Sequence, residues 1–137
     1  MKNTDLNIYE NLKDIQFKAS AYIIDIWGVL WDGIEAYEES LHCLQALKSQ
    51  NKTIILLSNA PRRSETVIKR LHDIGISKNL YDYIISSGEF CRDSFKNKLP
   101  SVNHLGKNYF FLGLESDKGL LDNLNYTETN IESADFV

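Results

Sequence analysis

Apolar runs of strand length alternate along this chain with stretches of helical spacing. Ala21-Tyr22-Ile23-Ile24, Thr53 to Leu57 and Tyr83-Ile84-Ile85 are short runs with apolar residues on both faces, the pattern of parallel strands covered by helices. Tyr37, Leu41, Leu44 and Leu47 mark one face of a helix between the first two runs, with Lys48 near its end suiting the helix dipole. Val67, Ile68, Leu71 and Ile74 mark a second helix, which Pro61 opens and Gly75 closes in a left-handed cap. Leu6, Tyr9, Leu12 and Ile15 predict a short amphipathic helix over residues 6–18. Gly88 reads as a breaker, and Phe90, Ser94 and Phe95 as a helix that stops before Pro100. Beyond Pro100 the texture changes: Tyr109 to Leu112 predicts a strand, Leu120, Leu121 and Leu124 a short helix, Ala134 to Val137 another apolar run, and Asn97 to Lys107 a linker. The alternation predicts an α/β fold built on a parallel sheet flanked by helices.

Length and composition narrow this picture. The 137 residues suffice for one ordinary domain, and 43% hydrophobic with only two prolines and seven glycines describes a chain with a core. A formal charge of −4 argues against a broad grip on nucleic acid or anionic lipid. No apolar run approaches membrane-spanning length, and the polar start, Met1-Lys2-Asn3-Thr4-Asp5, carries no export signal. Cys43 and Cys91 stand far apart with no metal-ligand spacing, so they read as reduced thiols in a cytoplasmic protein.

Two polar clusters follow the first two strands, where an open α/β sheet binds its ligands. The first runs Asp25-Ile26-Trp27-Gly28-Val29-Leu30-Trp31-Asp32-Gly33, the second Ser58-Asn59-Ala60-Pro61-Arg62. Parallel pairing would bring Asp25, Ser58 and Asn59 to one edge. An aspartate there can attack phosphorus while a hydroxyl and loop amides hold phosphoryl oxygens, and a helix beginning after Asn59 would favour the anion. Each part also has an ordinary reading. Asp25 could begin a turn, Ser58-Asn59 could cap a helix, Arg62-Arg63 could be a solvated helix start, and Trp27 and Trp31 either lid a substrate or pack. Asp32-Gly33 is a turn signal, and His42, His72 and His104 are isolated.

The run Tyr22 to Gly33 resembles motif I of the haloacid dehalogenase superfamily, and Ile54-Ile55-Leu56-Leu57-Ser58-Asn59 resembles its motif II. Ile85-Ser86-Ser87-Gly88-Glu89 is similar to the segment where the class IIA, NagD-like branch passes from core to C2-type cap. The resemblance implies a Rossmann-like core over residues 1–88, followed at 89–137 by a transition and part of the cap. It implies Mg²⁺-dependent hydrolysis of a small phosphorylated metabolite through an aspartyl-phosphate. Asp25 would be nucleophile and metal ligand, the Trp27 backbone carbonyl a second metal ligand, Ser58 and Asn59 the phosphate holders, and Gly28 and Gly33 parts of the loop beside the substrate. Two departures qualify that chemistry. Trp27 stands where the family usually has a second Asp as general acid/base, and an indole cannot shuttle a proton near neutral pH. The Lys of motif III and acidic cluster of motif IV are not assignable here, which predicts a chain cut within the cap and weak or absent turnover. An anion-binding or interaction module is the alternative, a receiver-like or flavodoxin-like domain a more distant one. Half a core would expose strand edges and predicts self-association.

Overall fold

A computed structural model describes residues 9–14 and 18–137. Its centre is a three-stranded parallel sheet in spatial order β1 (Ala21–Asp25), β2 (Thr53–Ser58), β3 (Tyr83–Ser86). The register pairs Asp25 with Leu57 and Ser58 with Ser86, so the polar residues of all three strands collect at the carboxyl edge. Helices α1 (Glu38–Ser49) and α2 (Ser64–Asp73) make the β1-β2 and β2-β3 crossovers, and α3 (Ser87–Lys96) continues directly from β3.

Both crossover helices cover one sheet face. Leu44 and Leu47 of α1 and Leu71 of α2 are buried with Ile54 and Leu56 of β2, and Tyr22, Ile24 and Ile84 pack against this cluster. The opposite face holds the alternate residues. There Ile23 is 70% exposed, Tyr83 63%, Ile85 47% and Leu57 45%, so the expectation that both faces are covered holds for one face only. The alternation is the ordinary period of two along a strand; what differs is the absence of a second helical layer among the described residues.

Sequence signals and structure agree over the crossovers and diverge at several boundaries. Gly75 takes the predicted left-handed conformation, φ 89°, directly after the C-cap of α2. Pro61 does not open α2, which begins at Ser64. Gly88 does not break structure but lies in the first turn of α3. Of the helix predicted over 6–18, Leu6 and Ile15 lie outside the described residues, and Leu12–Asp14 forms a single 3₁₀ turn.

After α3 the chain turns through 97–107 and forms a small second sheet in which β4 (Asn108–Tyr109) pairs in parallel with β5 (Thr127–Glu128). Of the strand expected over 109–112 only Tyr109 is in β4, and the helix expected at 120–124 is a series of turns. Phe136 bridges to Tyr109 and stacks on Phe95 of α3 at 5.1 Å between ring centroids, fastening this segment to the first sheet's last helix. Aromatic packing, not a regular ladder, organises the region, which explains why strand and helix periodicities read poorly there.

Candidate active site

The loop after β1 is a tight, self-bonded turn. Gly28 N–H donates to the Trp31 carbonyl at 2.8 Å and Leu30 N–H to the Ile26 carbonyl at 2.9 Å, with Gly28 at φ 75°. Ile26 and Leu30 are buried and anchor the loop in the core. Asp32 closes it as the predicted turn, its Oδ1 accepting from the N–H groups of Glu35 (2.9 Å) and Ile34 (2.7 Å), which hold its carboxyl below the usual range, Glu35 foremost. Trp31 packs against the core, whereas Trp27 stays 64% exposed, its indole lying over Gly33.

The loop after β2 is set by residues that arrive much later in the chain. Ser58 Oγ accepts from Ala60 N–H at 3.1 Å, so its own proton can be donated to an oxyanion. Ser86, fully buried, donates from Oγ to the Arg62 carbonyl at 2.8 Å and caps α3 by accepting from Glu89 N–H at 3.2 Å. Glu89 Oε2 accepts from Ser64 N–H at 2.9 Å and lies 3.5 Å from Arg63 Nε. The first turn of α2 therefore already holds a carboxylate, and the expectation that this helix end favours a phosphate is corrected: the anion at Ser64 is Glu89. Gly88 N–H donates to the Ala60 carbonyl at 3.1 Å, and a Cβ on Gly88 would stand 2.5 Å from the Arg62 backbone. Thus Ser86, Gly88 and Glu89 clamp residues 60–64, a role the sequence reading missed. Its signal was the Ser-x-x-Glu spacing of a capping box.

A cavity of about 480 Å³ opens between the two loops. Trp27 and Trp31 form one wall and Ser58 and Asn59 its base at the sheet edge. Thr66, Lys69, Arg70 and Asp73 line it from α2, a polar stripe at i, i+3, i+4 and i+7 that the sequence displayed but the apolar face overshadowed. Arg62 also lines it while its Nε pairs with Asp117 Oδ1 at 2.5 Å, tying the cavity to the segment after β4. Asp25 is not among the lining residues. It sits at the end of β1, its Oδ1 accepting from Ile26 N–H at 2.9 Å, and borders a separate hollow of about 320 Å³ on the outer side of β1 with Leu12, Val29 and Ser40. Sequence-predicted residues are therefore gathered at one sheet edge, with Ser58, Asn59 and Trp27 sharing a cavity and Asp25 beside it. Gly28 and Gly33 shape the Trp27 loop.

A Mg²⁺ ion needs near-octahedral oxygen donors, of which the protein commonly supplies one or two carboxylates. Asp25 and the Trp27 carbonyl provide one side-chain and one backbone donor, and no group of three or more His, Cys, Asp or Glu gathers to hold a metal among the described residues. Asp25 and the Trp27 carbonyl would hold such an ion from one side, with water and substrate oxygens the rest of its shell.

A parallel α/β sheet thus sets an aspartate and a Ser-Asn pair on adjacent strand ends. The model of the family described as haloacid dehalogenase-like hydrolase matches residues 22–127, and the chain belongs to that family. The class IIA, NagD-like reading is consistent with this match. Among solved structures, a haloacid dehalogenase-like hydrolase from Brucella suis 1330 is similar, with a TM-score of 0.80 and 26% identity over 93% of this chain. The chain spans 46% of that protein's length. No curated protein sequence matches it. No helix among the described residues is long and apolar enough to cross a membrane.

Proposed function

We propose that this chain binds a small phosphate ester at Ser58 and Asn59 and attacks it through Asp25. The observation that carries the reading is the β1-β2 register, in which Asp25 lies opposite Leu57, one residue before Ser58. An Asp25 carboxylate oxygen forms a bond to phosphorus as the ester P–O bond breaks, and the departing alkoxide takes a proton from water. Water then adds to the aspartyl-phosphate, the phosphorus bond to Asp25 breaks, and inorganic phosphate leaves with the carboxylate restored. The indole of Trp27 supplies no proton to either half-reaction, so both run without the general acid/base that ordinarily contributes about 10²–10⁴-fold. Turnover by this chain is correspondingly slow.

Phosphate release from 4-nitrophenyl phosphate in Mg²⁺ buffer, with acid-quenched intact mass for the phosphoenzyme, tests this. The wild type gives slow release and a phosphorylated species, and Asp25→Asn gives neither. Release that persists in Asp25→Asn overturns the assignment. A second reading, a phosphate-binding module without turnover, is favoured by the position of Asp25 outside the Ser58 cavity. Saturable phosphate binding, with neither release nor phosphoenzyme in the wild type, would select it.

A further inference from the structure

The cavity beside Ser58 has features that phosphate binding alone does not use. Large exposed aromatic surface is uncommon unless something covers it, yet Trp27 is 64% exposed. From behind, Gly33 supports the indole so closely that a Cβ there would sit 3.1 Å from the ring. At the side it meets Trp31 edge to face at 5.4 Å between centroids. The loop hydrogen bonds around Gly28 fix the backbone from which both rings project, so the loop itself needs little ordering on binding. Arg70 lies over the Trp31 ring at 5.1 Å and reaches the Gly33 carbonyl, locking the second indole in place. Lys69 and Arg70 line this space with the carboxylate of Asp73, while Arg62 is paired with Asp117.

From these observations we infer that the Trp27–Trp31 cavity is the subsite for the alcohol part of the phosphate ester, and that it selects a planar aromatic ring carrying a hydrogen-bond acceptor. The inference rests on the reading that Ser58 and Asn59 hold the phosphoryl group. The ring stacks on the open face of Trp27, and its acceptor meets the cations Lys69 and Arg70. An aliphatic group of equal size would fill the volume without offering a π-face or an acceptor.

Calorimetric titration with non-hydrolysable phosphonates separates the two ideas. Benzylphosphonate, in which a methylene replaces the ester oxygen of an aryl phosphate, is compared with cyclohexylmethylphosphonate of the same length and with 4-carboxybenzylphosphonate. The benzyl ligand binds about tenfold more tightly than the cyclohexyl one, the magnitude expected of one aromatic stack, and the carboxybenzyl ligand more tightly again. Trp27→Ala removes the benzyl preference and Trp27→Phe keeps most of it; because Trp27 is largely exposed, both variants fold, as circular dichroism verifies. Equal affinity for benzyl and cyclohexyl ligands, or a preference that survives Trp27→Ala, overturns the aromatic subsite. A carboxybenzyl affinity no greater than benzyl overturns its acceptor half. If the aromatic preference holds but inorganic phosphate does not compete and Ser58→Ala is without effect, the phosphate reading fails while the subsite stands. No saturable binding of any ligand overturns both.

Discussion

Replacing Gly88 by Ala sets two physical effects of opposite sign against each other. Gly88 sits in the first turn of α3 with ordinary helical backbone, so helix propensity alone favours Ala by up to about 1 kcal/mol. The added Cβ, however, would meet the Arg62 amide nitrogen and carbonyl oxygen at 2.5 Å and the carbonyl carbon at 2.6 Å. That is about 1 Å inside ordinary carbon contact, and the obstacle is backbone that cannot rotate away. The two segments must part, which stretches the Gly88 N–H bond to Ala60 (3.1 Å) and the Ser86 bond to the Arg62 carbonyl (2.8 Å). Overpacking costs about 1–3 kcal/mol and each weakened bond about 1 kcal/mol more. The net after the propensity gain is a loss of about 2–4 kcal/mol, or roughly 7–14 °C in Tm for a chain of this size. Thermal melting followed by circular dichroism reads it directly, with Gly75→Ala as comparison. There the Cβ meets nothing within 4 Å and only the left-handed φ of 89° is strained, for about 1 kcal/mol. A Gly88→Ala melting point equal to or above wild type would refute the steric reasoning, because that is what propensity alone predicts.

Glu89→Ala removes the carboxylate from Ser64 N–H and from Arg63, and a loss of about 0.5–2 kcal/mol in a urea titration is expected of a missing cap. Asp82 is held below its ordinary value of 3.8 first by its bond to Lys48 Nζ and then by Ile54 N–H, so its contribution to stability is complete above that value and disappears as pH falls through the lowered one. Asp82→Asn should therefore be less stable than wild type at pH 6, and the gap should close in acid below pH 3.8; a gap constant with pH would contradict this. Burial pushes the Cys43 and Cys91 thiols up, so both should react with iodoacetamide more slowly than free cysteine at pH 8, the rate rising with pH. The exposed face of Ile23, Leu57, Tyr83 and Ile85 predicts concentration-dependent self-association by light scattering, and a monomer throughout the series would count against it.

The strands and crossover helices were legible because burial on the helix-covered face imposes strong periodicity: Leu44, Leu47, Ile54, Leu56 and Leu71 all sit where the spacing placed them. Asp25 and Ser58 were legible as strand-end residues because the parallel register follows from the crossovers. The start of α2 was not, since Pro61 is a common helix opener while the actual start is imposed by Glu89, 25 residues away. Gly88 misled for a related reason. A glycine demanded by tertiary contact looks the same in sequence as one demanded by a turn. Beyond Pro100 the aromatic cluster of Phe95, Tyr109, Tyr126 and Phe136 packs through ring contacts that leave no regular period to read.

The clamp from Ser86 and Glu89 onto residues 62–64 has a temporal side. Until β3 pairs with β2, the Arg62 carbonyl and the Ser64 amide lack the partners that shape the loop carrying Asn59. A chain emerging from the ribosome delivers Ser58 and Asn59 well before Ser86, so the loop that carries them matures only when the third strand docks. Under the proposed function, anion affinity becomes a clock for this late folding event, and refolding watched through bound phosphate should lag behind refolding watched through helix content.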